Sequence, residues 1–170
     1  MKTKDITYVA FGVAALIAGG FLVLTVSRIM PFPGVKFMLM APFISMMMYI
    51  LSVKIENRYA ILYIGLVFAG IMTLFNIVMG ISIVTTTVLT QLSILWIKKI
   101  KERATVGGCL YAMYTGLTAL VFSKYLIGGV FEMVSYSWII IVTLICLLFG
   151  SLGIIFGNKL LKHLNSIRFK

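Results

Sequence analysis

The chain carries few of the side chains that catalysis needs. Its only histidine, His163, lies in a basic C-terminal tail, and its four acids lie at or near predicted loops: Asp5, Glu56, Glu102 and Glu132. No apolar run carries a buried acid pair, a Ser/His/Asp set or the spacing of metal ligands. No Walker A sequence for phosphate binding is present. The sequence therefore predicts a protein that is not an enzyme, with no catalytic residue, no bound metal and no cofactor.

Three cations offer a different chemistry, the binding of an anion. Arg28 and Lys36 lie at the two ends of a proline-containing segment, Met30-Pro-Phe-Pro-Gly-Val-Lys-Phe37, and Lys124 begins a second segment of apolar and aromatic residues. Glu132 is the only acid in these two segments. A site near the three cations would favour an anion, such as a carboxylated or phosphorylated cofactor. The alternative is that the cations only reach towards lipid headgroups.

The composition places the elements that hold these cations in a membrane. Of the 170 residues, 62% are hydrophobic and 11% are charged, and the mean hydropathy is +1.13. A water-soluble domain of this size cannot bury so much apolar surface. The net charge of +11 would suggest nucleic-acid binding in a soluble protein, but here the basic residues lie between apolar runs and at the chain ends. The sequence predicts a single membrane domain over residues 1–170, with no nucleic-acid partner.

Six apolar stretches divide the chain, at about 6–27, 36–53, 59–76, 80–97, 106–123 and 136–158. Each is close to the ~20 residues that a helix needs to cross the hydrocarbon of a bilayer. We therefore expect an all-α membrane protein in which six transmembrane helices form one bundle.

The distribution of positive charge predicts the orientation of this bundle. If the N-terminus is cytoplasmic, all but three of the 15 Lys and Arg residues fall on the cytoplasmic side; the exceptions are Arg28, Lys36 and Lys124. Membrane proteins keep their positive charge on that side. We expect both chain termini in the cytoplasm, and the three exceptional cations outside.

The proline-containing segment then connects the first two helices on the outer side. Pro31 and Pro33 lack amide donors and fix φ, so a helix cannot simply continue through them, and Gly34 permits a tight turn. The segment is either a plain turn between helices or a stiff cap over a ligand site. A second outer segment, residues 124–135, is longer than a simple connection requires.

Two helices carry unusual surfaces. In the first, Ala10, Ala14 and Ala18 recur every four residues and share one face, which would let another helix approach closely in lipid. That partner is either a helix of the same chain or a separate protein. The fourth helix is rich in hydroxyl and amide side chains between Ser82 and Ser93, so it more plausibly faces protein or a cavity than lipid.

Together these features resemble the substrate-binding S-component of an energy-coupling factor (ECF) transporter. The resemblance covers the whole chain: its length, six helices, cytoplasmic N-terminus, first outer loop and the motif Ala10-x-x-x-Ala14-x-x-x-Ala18. It implies a prokaryotic multi-pass protein of the cell (plasma) membrane, which binds a vitamin or related micronutrient from outside. It also implies docking through the first helix onto a membrane T-component coupled to two cytosolic ATPase subunits.

The resemblance further implies a substrate site in the outer half, under the first outer loop and among the last three helices and their loops. The residues of this chain at those places are Arg28, Phe32, Lys36, Asn76, Lys124, Tyr125, Glu132, Tyr136 and Trp138. Two alternatives remain open at this point. One is a structural or assembly protein of the membrane, and the other is a small freestanding carrier, which would need a polar path through the whole bundle.

Overall fold

The computed structural model describes residues 3–27 and 32–168. It is 88% helical, and no strand occurs in the part of the chain that it describes. The long helices are α1 (Thr3–Ser27), α2 (Val35–Ile55), α3 (Ala60–Phe75), α4 (Ile77–Ser93), α5 (Ile100–Phe122) and α6 (Tyr136–Arg168). A π-helical turn at Ser123–Ile127 and a 3-10 turn at Gly129–Phe131 follow α5.

The predicted all-α fold with six helices is confirmed for the described residues. Four helices are long and apolar enough to cross a membrane: α1, α2, α5 with its π-helical turn, and α6. The other two, α3 and α4, are shorter, with 16 and 17 residues. The fold is that of a multi-pass membrane protein, whereas six complete spans and the cytoplasmic termini stay predictions.

Helix α2 lies at the centre of the bundle. It packs against α1, α3, α5 and α6, while α5 also packs against α4, and α4 against α3. The chain enters α2 through Gly34, whose φ of 99° is a conformation that favours glycine. Helix α1 therefore contacts the rest of the bundle mainly through α2 and α3.

Glycines bring α5 and α6 unusually close to α2. A Cβ on Gly153 would overlap the carbonyl group of Pro42, and one on Gly108 would lie 2.9 Å from the carbonyl oxygen of Ser45. The hydroxyl of Ser45 donates a hydrogen bond of 2.6 Å to the carbonyl oxygen of Gly150. We call Gly108, Gly150 and Gly153 the glycine seam. Close backbone contact of this kind is how helices associate within lipid.

The two ends of the bundle differ in character. The end that contains Gly34, Asn76 and Ser123 is called here the proline-loop end. The opposite end, called the basic end, contains Arg58 and Arg103. Space for a ligand between the helices lies at the first of these ends, whereas the basic end has an open surface hollow of about 410 Å³ beside Lys99, Lys101 and Glu102.

Candidate functional site

Two adjoining cavities lie near the proline-loop end, on either side of the first turns of α2. One has a volume of about 190 Å³ and the other about 180 Å³. They share five lining residues from three helices: Lys36, Phe37, Met40, Phe68 and Met79. We call the first cavity the apolar lobe and the second the polar lobe. Together they form the candidate site.

The polar lobe separates α2 from α4 and α5. Its polar lining consists of Lys36, Asn76, Ser82, Thr86, Thr115 and Ser123. Some of these groups are already held in place: the hydroxyls of Thr86 and Thr118 lie 2.6 Å apart, and the hydroxyl of Ser82 donates to that of Thr118 at 3.2 Å. Because these side chains are buried and mutually bonded, they present a fixed array of oxygen atoms to a ligand.

The end of α5 is reshaped where it meets the polar lobe. Ser123 and Ile127, the first and last residues of the π-helical turn, both line the lobe. Ser123 is 6% exposed as a residue, and its hydroxyl makes no hydrogen bond within the described part of the chain. Single π-helical turns are frequent at functional sites. Here the hydroxyl of Ser123 lies in the wall of the polar lobe, where a ligand could reach it.

The apolar lobe lies between α1, α2 and α3. Besides the shared residues it is lined by Leu16, Ile17, Gly20, Phe21, Val23, Leu24, Met72 and Phe75. Among the described residues of this lining, Lys36 is the only charged or hydrogen-bonding side chain. The rings of Phe21 and Phe75 meet edge to face, with centroids 6.3 Å apart, between α1 and α3. This lobe can hold a hydrocarbon group but cannot satisfy a polar one.

Lys36 lies where the two lobes meet. Its side chain is half-buried, and its Nζ lies 4.9 Å from the ring centroid of Phe37 and 5.6 Å from that of Phe131. Aromatic faces attract a cation, but they do not neutralise it. No carboxylate pairs with Lys36 in the described part of the chain. The site therefore holds a positive charge without a counter-ion.

The described part of the loop between α1 and α2 packs onto α5 and α6. The indole Nε1 of Trp138 donates a hydrogen bond of 2.8 Å to the carbonyl oxygen of Pro33. A Cβ on Gly34 would lie 3.2 Å from Val142. Phe32 is 65% exposed and lines neither lobe. The loop is thus fastened beside the site by its second half, and a role for Phe32 in covering a ligand stays a prediction.

Of the predicted substrate-binding residues, Lys36 and Asn76 line the site. Asn76 also caps α4, because its side-chain oxygen accepts hydrogen bonds from the backbone amides of Val78 and Met79, at 2.8 and 3.3 Å. Trp138 lines neither lobe and instead donates a hydrogen bond to Pro33 of the loop. Arg28 lies outside the described residues.

The other four predicted residues form a group of their own at the same end, outside the lining of both lobes. Lys124 donates to the carbonyl oxygen of Val134 at 2.5 Å and lies 4.4 Å from the ring centroid of Tyr136. The hydroxyls of Tyr125 and Tyr136 are 2.8 Å apart, and Glu132 is exposed. These contacts tie the two ends of the 124–135 segment together. A direct role in substrate binding stays a prediction for all four.

Several lining residues were not predicted from the sequence. Phe37, Met40, Phe68 and Met79 occupy the boundary between the lobes, and none of them differs in type from residues that face lipid. The polar run of α4 was the available signal: Ser82 and Thr86 line the polar lobe, while Thr87, Thr90 and Gln91 are buried against protein.

The alanine motif of α1 lies on the opposite side of that helix from its buried residues. Ala10, Ala14 and Ala18 are all exposed, whereas Val13 and Leu16 are buried against the bundle. Packing inside this chain therefore does not account for the spacing of the alanines. The three small side chains stay exposed on this face of α1, beside Phe11 and Leu22, which are 70% and 71% exposed.

The basic end is closed by hydrogen bonds. The guanidinium of the buried Arg103 donates to the carbonyl oxygens of Ile97 and Lys98, and that of Arg58 donates to the carbonyl oxygen of Leu95 at 2.7 Å. Gln91 completes the closure by donating to the carbonyl oxygen of Arg58 at 3.2 Å. The cavity at this point has a volume of about 10 Å³, which is room for about one water molecule.

One exposed ion pair flanks this closure. Lys99 and Glu102 are 2.8 Å apart. The hydrogen bond to the carboxylate of Glu102 raises the pKa of Lys99. The pair keeps its positive partner charged at neutral pH but lies on the surface, away from the site.

Comparison with known proteins finds no matching protein-family model, no similar curated protein and no similar solved structure.

Proposed function

We propose that this protein is the high-affinity substrate-binding subunit of an ECF-type, ATP-driven importer for an anionic vitamin or related micronutrient. The observation that carries the proposal is the contrast between a two-lobed cavity at the proline-loop end and a closed basic end. A binding subunit needs a site that is reached from one side. It does not need a path of its own through the membrane, because the transporter's other subunits supply the movement.

The exposed alanines of α1 support the proposed partners. A membrane T-component, itself coupled to two cytosolic ATPase subunits, would pack a helix against Ala10, Ala14 and Ala18. The small side chains allow close approach of two helices, which is the main source of helix association in lipid. ATP hydrolysis by the partner subunits would then drive release of the substrate into a prokaryotic cell.

Lys36 supports the anionic character of the substrate. Within the part of the chain that the structure describes, it is the one charged side chain that lines either lobe, and no carboxylate pairs with it there. A charge in such surroundings is costly until it is paired, so an anionic substrate would gain the pairing energy on binding. Arg28 and Lys124 remain candidates for attracting the anion to the site.

The freestanding carrier is less well supported by the same geometry. A carrier must open a polar path to both sides, and the basic end would have to break the hydrogen bonds of Arg58 and Arg103 to do so. Over residues 3–27 and 32–168, no charged side chain lines either lobe except Lys36. An ion-coupled carrier normally places a titratable group within the membrane for this purpose.

Identification of a bound molecule tests the binding function directly. The full chain should be purified in mild detergent and its extract analysed by mass spectrometry. We expect a small organic anion at about one molecule per chain, and we expect Lys36→Met to lose it. A chain that purifies without any bound small molecule and takes up none of a panel of anionic vitamins would contradict the proposal.

The transporter partnership needs a separate test. Ala14→Trp places a large side chain on the exposed face of α1, so it should abolish assembly with co-expressed T-component and ATPase subunits, and also transport. Ligand binding by the isolated chain should be unchanged, because Ala14 lines neither lobe. Leu144→Trp, at an exposed position of α6, is the matched control and should assemble normally. If the Ala14→Trp protein assembles and transports like the wild type, the alanine face is not the docking surface.

A further inference from the structure

The apolar lobe has no evident use for a fully polar substrate. Its lining is hydrocarbon and aromatic apart from Lys36, and it lies against α1, α2 and α3. The resemblance to S-components instead implies a site among the last three helices. The apolar lobe therefore favours a substrate with a hydrocarbon part, which the proposed function does not specify.

We infer that the substrate is an amphiphilic monocarboxylate, with its carboxylate beside Lys36 and its hydrocarbon part in the apolar lobe between α1 and α3. This inference rests on the proposed function, since it names the class of molecule that the site would take. It follows from the position of a single unpaired cation between one lobe rich in hydroxyls and one lobe almost free of polar groups.

The carboxylate end is defined by the groups around the junction of the lobes. The Lys36 ammonium supplies the charge, and the Ser123 hydroxyl, which makes no hydrogen bond within the described residues, can donate to a carboxylate oxygen. The hydroxyls of Ser82, Thr86 and Thr115 already donate within the protein, so they are not further donors. Charge-assisted hydrogen bonds of this kind are about twice as strong as neutral ones.

The hydrocarbon end is defined by the walls of the apolar lobe. Leu16, Leu24, Met72 and the shared residues Met40 and Phe68 offer surfaces with no hydrogen-bonding group. A polar group placed among them would lose its bonds to water and gain none in return. An alkyl chain or a flat apolar ring would instead be removed from water on both sides.

One glycine makes the apolar lobe possible. Gly20 of α1 lines the lobe, and a Cβ at this position would approach the Cε of Met40 to 3.0 Å. A leucine at position 20 would occupy the space that the hydrocarbon part of the substrate needs. In contrast, Gly70 of α3 has nothing within 4 Å of the position of a Cβ, so a leucine there disturbs no packing. The two glycines form a matched pair for an experiment.

The test uses the full chain in phosphatidylcholine nanodiscs and a dodecanoate that carries a diazirine at its alkyl end. After photolysis, mass spectrometry of peptides should place the label on α1 and α3, at residues that line the apolar lobe. Unlabelled dodecanoate should compete, while dodecyltrimethylammonium, which has the same tail and the opposite charge, should not. Lys36→Met should reduce the labelling at least tenfold and Lys36→Arg should largely preserve it.

The two glycine variants then distinguish labelling in the apolar lobe from labelling by dodecanoate in the surrounding lipid. Gly20→Leu should remove labelling of the lobe, while Gly70→Leu should leave it at the wild-type level. The inference is overturned if the label falls on lipid-facing residues alone, if the cationic amphiphile competes as well as dodecanoate, or if Gly20→Leu has no effect.

The failure of this inference can be distinguished from the failure of the proposed function. If the molecule that co-purifies is an anion without a hydrocarbon part, and ATP-dependent uptake still requires Ala14, the inference is wrong and the proposed function stands. If dodecanoate binds through Lys36 but the chain neither assembles with the transporter subunits nor supports uptake, the inference stands and the proposed function is wrong.

Discussion

The two ends of the bundle use polar groups in opposite ways. At the basic end, Arg58, Gln91 and Arg103 donate hydrogen bonds to backbone oxygens of the connections between helices. The cavity beside them has a volume of only about 10 Å³. At the proline-loop end, Lys36 and Ser123 face cavities and have no hydrogen-bonding partner within the described residues. Two buried polar atoms of the described residues lack a partner at the basic end as well, the hydroxyl of Ser52 and the side-chain oxygen of Gln91, so an unpaired group does not by itself mark a ligand site. What distinguishes Lys36 and Ser123 is that they line a cavity of about 180 Å³.

The largest expected difference between the ends is their accessibility in cells. In a chain with Cys109→Ala and Cys146→Ala, Glu132→Cys at the proline-loop end should react with a membrane-impermeant maleimide in intact cells. Lys101→Cys at the basic end should react only after the membrane is permeabilised. Both positions are exposed, so burial does not limit either reaction. The reverse pattern would place the candidate site in the cytoplasm and would contradict import from outside.

The closed end should carry more of the stability. Arg103→Met removes the hydrogen bonds from a buried guanidinium to the part-buried carbonyl oxygens of Ile97 and Lys98, so we expect the free energy of unfolding to fall by about 2 kcal/mol. Ligand affinity should not change. Unfolding in detergent, followed by circular dichroism, measures the first and a binding titration the second. Arg58→Met, at an exposed position, is the control and should cost about 1 kcal/mol.

A loss of affinity in Arg103→Met as large as that of a cavity substitution would mean that the two ends are coupled. Their separation into a structural end and a binding end would then be wrong.

A smaller effect should distinguish the hydroxyls of two buried serines. Ser123→Ala removes a donor that faces the polar lobe, so the ligand should bind about fivefold more weakly, corresponding to about 1 kcal/mol, with little change in stability. Ser52, at the basic end, has a buried hydroxyl that also lacks a partner. Ser52→Ala should leave affinity unaltered. Isothermal titration with the purified ligand compares them, and equal effects would show that the polar lobe is not where the ligand binds.

The smallest effect should come from the outer loop. Pro33→Ala loosens the loop before binding, and this costs about 0.5 kcal/mol, so the ligand should dissociate roughly twice as fast. The same measurement of dissociation rates applies to Trp138→Phe, which removes the hydrogen bond to Pro33. Should both proteins release ligand at the wild-type rate, the proline segment is only a turn, and the 124–135 segment must close the site.

The number and type of the helices could be predicted because lipid-facing and buried helix surfaces are both apolar, which makes each helix a long apolar run. Several boundaries could not, and the largest difference is at the end of the sixth helix, which we expected at about 158 and which lies at Arg168. We expected the fourth helix from about 80, but it begins at Ile77, because Asn76 caps it through its side chain. We expected the fifth from about 106, but it begins at Ile100, since its charged first turns are helical as well. Hydropathy does not detect either effect.

The candidate site could be predicted only where it is polar. Lys36 was expected as one of three cations outside the positive-inside pattern, and Asn76 only through the resemblance to an S-component. The apolar lobe was not expected, because a residue such as Phe68 that faces a cavity has the same chemistry as Leu66 or Val67, which are exposed. Which of these surfaces encloses space depends on how α1 and α3 diverge, and that is a property of the packed helices rather than of any one stretch.

The glycine seam has a consequence for how proteins of this shape can diverge. Side chains cannot grow at Gly108 or Gly153 without pushing α5 or α6 away from α2, whereas many residues of the two lobes can change size as long as some cavity remains. Over evolutionary time, the glycines of the seam should accept few replacements and the residues that line the lobes many. Homologous chains should then share the spacing of small residues along α5 and α6. The residues that line their cavities should differ with the substrate that each chain binds.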